Sequence, residues 1–219
     1  MSYITLGETC APAAALRNLN LRNYALPFDW IRSSANQLCE VISSDFKGFH
    51  DNLRLSESRN TVYDSFNLEF PHDYPTLKQP IANINEEDEN GGIHEDAIIE
   101  SWEDTIPQVK EKYRRRIERF QLIMKSEEPV IALFFGKISN IQLFKNIFEI
   151  KYNKVNIWYA VLSEEIITDE EKERLLDKEH ISVCDPEEVL IDENDNMFID
   201  KFAQAKLWYD AINKIHLKI

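Results

Sequence analysis

The sequence predicts an α/β fold of three layers, a mainly parallel sheet with helices on both faces and an irregular acidic insert. Three observations predict it. First, "VIALFF" at 130–135 is a continuous apolar run of strand length, which suits a strand buried on both faces. Second, segments of strand and helix character alternate from there to residue 214, the pattern that builds parallel layers. Third, "YITLGETCAPAAALRNL" at 3–19 passes from a short apolar run through Gly7 into a helical stretch.

The elements follow in order. Residues 2–6 read as the first strand. Pro12 suits the first turn of a helix, where its missing N–H has no partner to lose, and Thr9 or Cys10 stands near the cap of a helix running to about Leu19. Ser33 or Ser34 can cap a second helix with Leu38, Val41 and Ile42 on its inner face. "TVYDSFNLEF" at 61–70 alternates apolar and polar residues, as one or two short strands would. From about 73 to 104 the chain is irregular, acidic and carries Gly91-Gly92, and it reads as a surface insert. Over 105–125, Ile106, Val109, Tyr113, Ile117, Phe120 and Met124 recur at helical spacing. A strand at 130–135, a helix from Asn140, a strand at 154–163, a helix at 168–178 capped by Thr168, a short strand in "HISVCDP" and a helix at 199–214 complete the chain.

Bulk properties bound the function. The chain has 219 residues, 43% of them hydrophobic, and a formal net charge of −14. One domain over 1–219, with the loop insert at about 73–104, fits this length. The acidic balance disfavours nucleic acid and an anionic membrane surface, both of which need a basic face. The three cysteines, Cys10, Cys39 and Cys184, are widely spaced and form no CxxC pair, so neither a zinc cluster nor a disulfide framework is expected. That usage favours a reducing compartment. No basic segment followed by an apolar stretch opens the chain, and no run reaches the roughly 18 apolar residues of a membrane helix, so a cytoplasmic location is expected. The five glycines form no phosphate-cradling loop, and no cofactor or metal is expected.

In a parallel sheet, reactive groups gather at the carboxyl ends of strands. Cys10 falls just past the first such end and at the start of a helix. Backbone N–H groups there favour a thiolate and can hold a developing oxyanion. The small neighbours Gly7 and Ala11 leave room for a substrate. A free cysteine is also an ordinary small core residue, and spacing alone leaves both readings open. A nucleophilic cysteine needs a base. His50, His94 and His216 occupy polar or terminal contexts that read as solvated, and His180 opens a strand. His72 lies in "LEFPHDYP" between aromatic and proline residues. Asp73 is adjacent to it, and Asp29 or Asp64 are alternative carboxylates to orient it. In "LPFDWIRSS", Trp30 and Phe28 supply apolar area around the charge of Asp29, which needs a partner. Arg116, on the same helical stripe as Tyr113, Ile117 and Phe120, is the arginine expected to point inward and pair with Asp29. Lys137 and Ser139 in "GKISN" end a strand and can reach the same sheet edge as Cys10.

"LGETC", "LPFDWIRSS", the "DF" at 45–46, "FPHDY" and "YRRRIERF", in this order, resemble a family of uncharacterised bacterial and viral proteins described as papain-like cysteine peptidases. The resemblance covers roughly residues 2–137. It implies a Cys–His catalytic pair, in which Cys10 matches the family's N-terminal cysteine and His72 with Asp73 its His-Asp. Gly7, Asp29, Trp30 and Arg116 then serve substrate binding or structural support. The implied function is a cysteine-dependent hydrolase or acyltransferase acting on a peptide, amide or thioester bond, with a peptide or small molecule as partner. The alternative is a non-catalytic α/β module that binds a ligand at the strand ends, or one whose acidic segment at 85–104 recruits a basic protein.

Overall fold

The computed structural model describes residues 1–79, 96–163, 165–184 and 205–219. In chain order the elements are β1 (Ser2–Gly7), α1 (Ala11–Asn18), α2 (Ala35–Ser43), β2 (Arg54–Leu55), β3 (Val62–Tyr63), β4 (Glu69–Phe70), a 3-10 helix (Glu100–Thr105), α3 (Ile106–Lys125), β5 (Val130–Gly136), a 3-10 turn (Ile138–Asn140), α4 (Ile141–Tyr152), β6 (Ile157–Ser163), α5 (Asp169–Glu179), β7 (Ile181–Val183) and α6 (Ala205–His216). Four strands form one parallel sheet in the order β1-β5-β6-β7. The three-layer α/β expectation describes this architecture.

The layers follow from the side-chain alternation of the strands. Ile4, Leu6, Ala132, Phe134, Tyr159 and Val161 face one side and pack with Leu38 and Val41 of α2, Val109 and Phe120 of α3, and Phe144 and Phe148 of α4. Ile131, Leu133, Phe135, Trp158, Ala160 and Leu162 face the other, against Ala15 and Leu16 of α1 and Leu207, Trp208, Ile212 and Ile215 of α6. Every residue of β5 is buried, which is why its sequence is apolar without alternation. The helix starts agree with their caps. Ser34 and Gln37 form a reciprocal capping box at α2, and Thr168 and Glu171 do so at α5.

A second, antiparallel sheet, β2-β3-β4, stands beside the first, and the alternation over 61–70 is its β3 and β4. Asp64 organises the turn between them, its carboxylate accepting the backbone N–H groups of His50, Phe66 and Leu68. The stretch expected as a loose insert is tied down at both ends. Thr76 bridges Ile98, Tyr74 and Trp102 are buried with their rings 5.0 Å apart, and Glu100–Thr105 is helical. Buried apolar residues, Ile98 and Trp102 in the "AIIESW" part, account for this anchoring. The acidic centre at 80–95 and the expected helical residues 199–204 lie outside the described residues. No helix among the described residues is long and apolar enough to cross a membrane.

Gly7 ends β1 at φ +131, and a Cβ there would stand 2.6 Å from the Phe135 carbonyl oxygen and 2.9 Å from its nitrogen. Both obstacles are backbone of the paired strand, so no rotamer change relieves them. Gly7→Ala is expected to lower unfolding stability by more than about 2 kcal/mol, measured by urea denaturation.

Candidate active site

Cys10 is the N-cap residue of α1, three residues past the carboxyl end of β1, and is 4% exposed. Its carbonyl accepts the first helical hydrogen bond, from the Ala14 N–H at 3.0 Å. Pro12 follows and contributes no N–H, while the Ala11 N–H is taken by the Thr9 hydroxyl at 3.3 Å. α1 is built from small residues on this side: Ala11, Ala13, Ala14 and Ala15 are all buried, so the helix start sits close to its neighbours. The Ser33 hydroxyl donates to the Gly7 carbonyl at 2.9 Å, tying the segment before α2 to this edge. Since Gly7 pairs with Phe135, the end of β5 lies on the same edge, and Lys137 and Ser139 follow it with exposed side chains.

Trp30 joins the two candidate residues. It forms a small apolar cluster with Cys10, Ala13 and Ala14, separate from the two main core clusters. Its ring meets that of His72 edge-on, with centroids 6.0 Å apart and planes at 83°. His72 is 8% exposed and lies in the turn directly after β4, so the antiparallel sheet carries it to Trp30. The guanidinium groups of Arg17 and Arg22 stand 5.4 and 5.3 Å from the Trp30 ring centroid, a favourable placement over an aromatic face. Trp30 Nε1 is buried and has no hydrogen-bond partner among the described residues.

The carboxylates are committed to particular partners. Asp73 Oδ1 is bonded by the Lys112 ammonium, and Oδ2 accepts from the Tyr113 hydroxyl at 2.8 Å. Burial pushes its pKa up, but Lys112, Arg116 and these bonds outweigh that and hold it below the usual carboxylate range. Asp29 accepts from Thr5 Oγ1 at 2.6 Å and from the Leu26 N–H at 2.9 Å, with Arg22 Nε at 3.4 Å. Arg116 is fully buried as expected; its guanidinium lies 5.3 Å from the Tyr113 ring centroid and supports the ionisation of Asp73. Arg22 is the cation that the sequence reading did not offer to Asp29.

Two residues of this region escaped sequence reasoning. Lys112 is fully buried. Its signal was present, since 109, 112, 113, 116 and 120 form one helical stripe, but lysine is ordinarily solvated. His50, expected to be solvated, is buried; this is a correction. Its ring stacks against Tyr74 and lies among Phe70 and Tyr113, and its Nε2 shares a 2.9 Å hydrogen bond with the Tyr74 hydroxyl. Its context is polar in sequence, but Phe49 beside it and the left-handed backbone at Asp45, Phe46 and His50 turn this loop into the core. Burial lowers its pKa to about 4, against the opposing influence of Asp73. His216 is exposed as expected, with Nε2 3.0 Å from the Tyr3 hydroxyl. His180 stacks on Trp158 at 4.1 Å, remote in sequence from the other site residues, and His94 lies outside the described residues.

A parallel α/β layer with a cysteine at a helix start, and a histidine after the antiparallel sheet whose ring meets the tryptophan packed with that cysteine, defines an α/β protein. The chain belongs to the family described as "Putative papain-like cysteine peptidase (DUF1796)", whose pattern it matches over residues 1–166. It is also similar to the Uncharacterized protein R408 of Acanthamoeba polyphaga mimivirus, 34% identical over 61 residues, which is 27% of each chain. The match thus spans about a quarter of that relative's length. No solved structure matches the chain.

Asp73→Asn leaves two buried cations with a neutral partner and is expected to cost about 3–5 kcal/mol in urea unfolding. Asp73→Leu combined with Lys112→Met is expected to recover part of that loss. For His50, the folded pKa of about 4 lies below the ordinary 6.5. Its stabilising contribution is therefore present above pH 6.5 and is lost as pH falls toward 4, because only the unfolded chain takes up the proton. The decline of unfolding stability across that window is expected to flatten in His50→Gln.

Proposed function

We propose that the protein is a cysteine-dependent hydrolase or acyltransferase acting on a peptide, amide or thioester carbonyl. The observation that carries this reading is the convergence of Cys10 and His72 on Trp30 at the carboxyl edge of β1. Family membership supports it. The helix start favours the thiolate over the thiol. His72 takes the proton from Cys10 and returns it to the leaving group. The Cys10 sulfur bonds to the carbonyl carbon, the leaving group departs, and water or a second acceptor then releases the acyl group from the sulfur.

Asp73 fits a positioning role in this scheme. Its carboxylate is anchored by Lys112 and Tyr113 of α3, and this fixes the backbone that carries His72. Asp29 and Thr5 hold the "PFDW" segment, and with it Trp30, against β1. With Cys10 at 4% and His72 at 8% exposure, the reacting atoms are shielded from bulk water, which strengthens their electrostatic interaction.

Iodoacetamide labelling of Cys10 against pH, followed by peptide mapping, tests the pair. Cys10 is expected to label with a midpoint below the value of about 8.5 for a free thiol. The midpoint should move toward that value in His72→Ala. An ordinary midpoint that His72→Ala leaves unchanged would overturn the proposal. Cys39 serves as an internal control, since burial pushes its thiol up to about 11.

A further inference from the structure

A carbonyl attacked by Cys10 develops negative charge on its oxygen, and that charge needs preorganised donors. Two positions at the start of α1 offer no open donor. Pro12 has no N–H, and the Ala11 N–H is already bonded to Thr9 Oγ1. The Trp30 side chain packs in one cluster with Cys10, and its indole N–H is buried and unbonded among the described residues, on a side chain 1% exposed. A buried N–H left without an acceptor is costly, so native interiors rarely retain one without use. Arg17 and Arg22 lie near the ring centroid. They supply positive charge, but neither can accept from the N–H, because a guanidinium has no acceptor. The acceptor is then a bound group or an ordered water.

We propose that Trp30 Nε1–H is an oxyanion donor of this site, bonding the carbonyl oxygen of the acyl group carried by Cys10. The inference rests on Cys10 being the nucleophile. As the sulfur–carbon bond forms, the carbonyl π pair moves onto oxygen, which accepts the indole N–H. When that pair returns, the bond to the leaving group breaks and the leaving group takes the proton held by His72. The indole hydrogen stays on nitrogen throughout. The same ring touches His72 edge-on, so one side chain positions the base and binds the oxyanion.

The test uses the full chain labelled with 15N at tryptophan, acetylated with p-nitrophenyl acetate, with the S-acetyl group located by mass spectrometry. The Trp30 indole resonance, assigned with Trp30→Phe, is expected to move downfield and to exchange more slowly with solvent once Cys10 carries the acetyl group. A thioester on Cys10 with the Trp30 resonance unmoved would overturn the donor role and leave the nucleophile standing. Failure of Cys10 to form a thioester would overturn both. A second variant replaces Trp30 by benzothienylalanine, which keeps the ring shape and has sulfur in place of N–H. Acylation of Cys10 is expected to slow by about 10²-fold with the pH midpoint of its alkylation unchanged. An unchanged acylation rate, or a rate that falls only in step with a shifted midpoint, would exclude the donor role.

Discussion

The buried ion pair between Asp73 and Lys112 is the contact on which the candidate site depends. It joins a loop to α3 through a charge-assisted bond, reinforced by the Tyr113 hydroxyl and by Arg116. Two cations in a dry interior are tolerable only with a compensating carboxylate. The loop therefore has a single acceptable position relative to the helix. His72 is the residue before Asp73, so the constraint passes to it through one peptide bond. Around the pair, Phe49, Phe70, Tyr113 and His50 make edge-on ring contacts, each modest, together filling the space that a less ordered loop would leave to water.

A second anchor acts on the other half of the site. Asp29 is bonded by Thr5 of β1, by the Leu26 N–H and by Arg22. The first bond fixes the "PFDW" segment to the main sheet and the second closes its own turn. Trp30 follows directly and inherits that position. The two anchors are made from different elements, one on β1 and one on α3, yet both serve the same indole and imidazole. Buried acids hold backbone in place, and the residues next to them in sequence, Trp30 and His72, inherit that placement.

The sequence disclosed the layers better than the site. The apolar run of β5, the helical stripe of α3, and the caps at Ser34 and Thr168 are local signals, and each has its counterpart in the structure. Cys10 at a strand-to-helix step and His72 in a rigid apolar setting were legible in the same way. Partnerships were not. For Asp29 the helical period makes an inward Arg116 visible, whereas Arg22, 3.4 Å from that carboxylate, sits in an irregular stretch without a period to reveal its direction. Lys112 lay on the inner stripe but carried a charge that normally seeks water. His50 was hidden by left-handed backbone at Asp45, Phe46 and His50, which redirects a loop without leaving a compositional trace. Contacts between distant segments depend on geometry that no single segment encodes.

Among the described residues β1 has one neighbour in the main sheet, and its pairing matches Ser2 with Val130 and Gly7 with Phe135. During synthesis the first strand therefore waits for more than half of the chain before its partner leaves the ribosome. Closing so long a loop is entropically slow. Through that interval the Cys10 thiol lacks the layers that later enclose it and meets the surrounding redox chemistry unprotected. The topology thus makes maturation of the chain sensitive to oxidation at Cys10. An oxidant that the folded protein would resist can still reach the thiol of the growing chain.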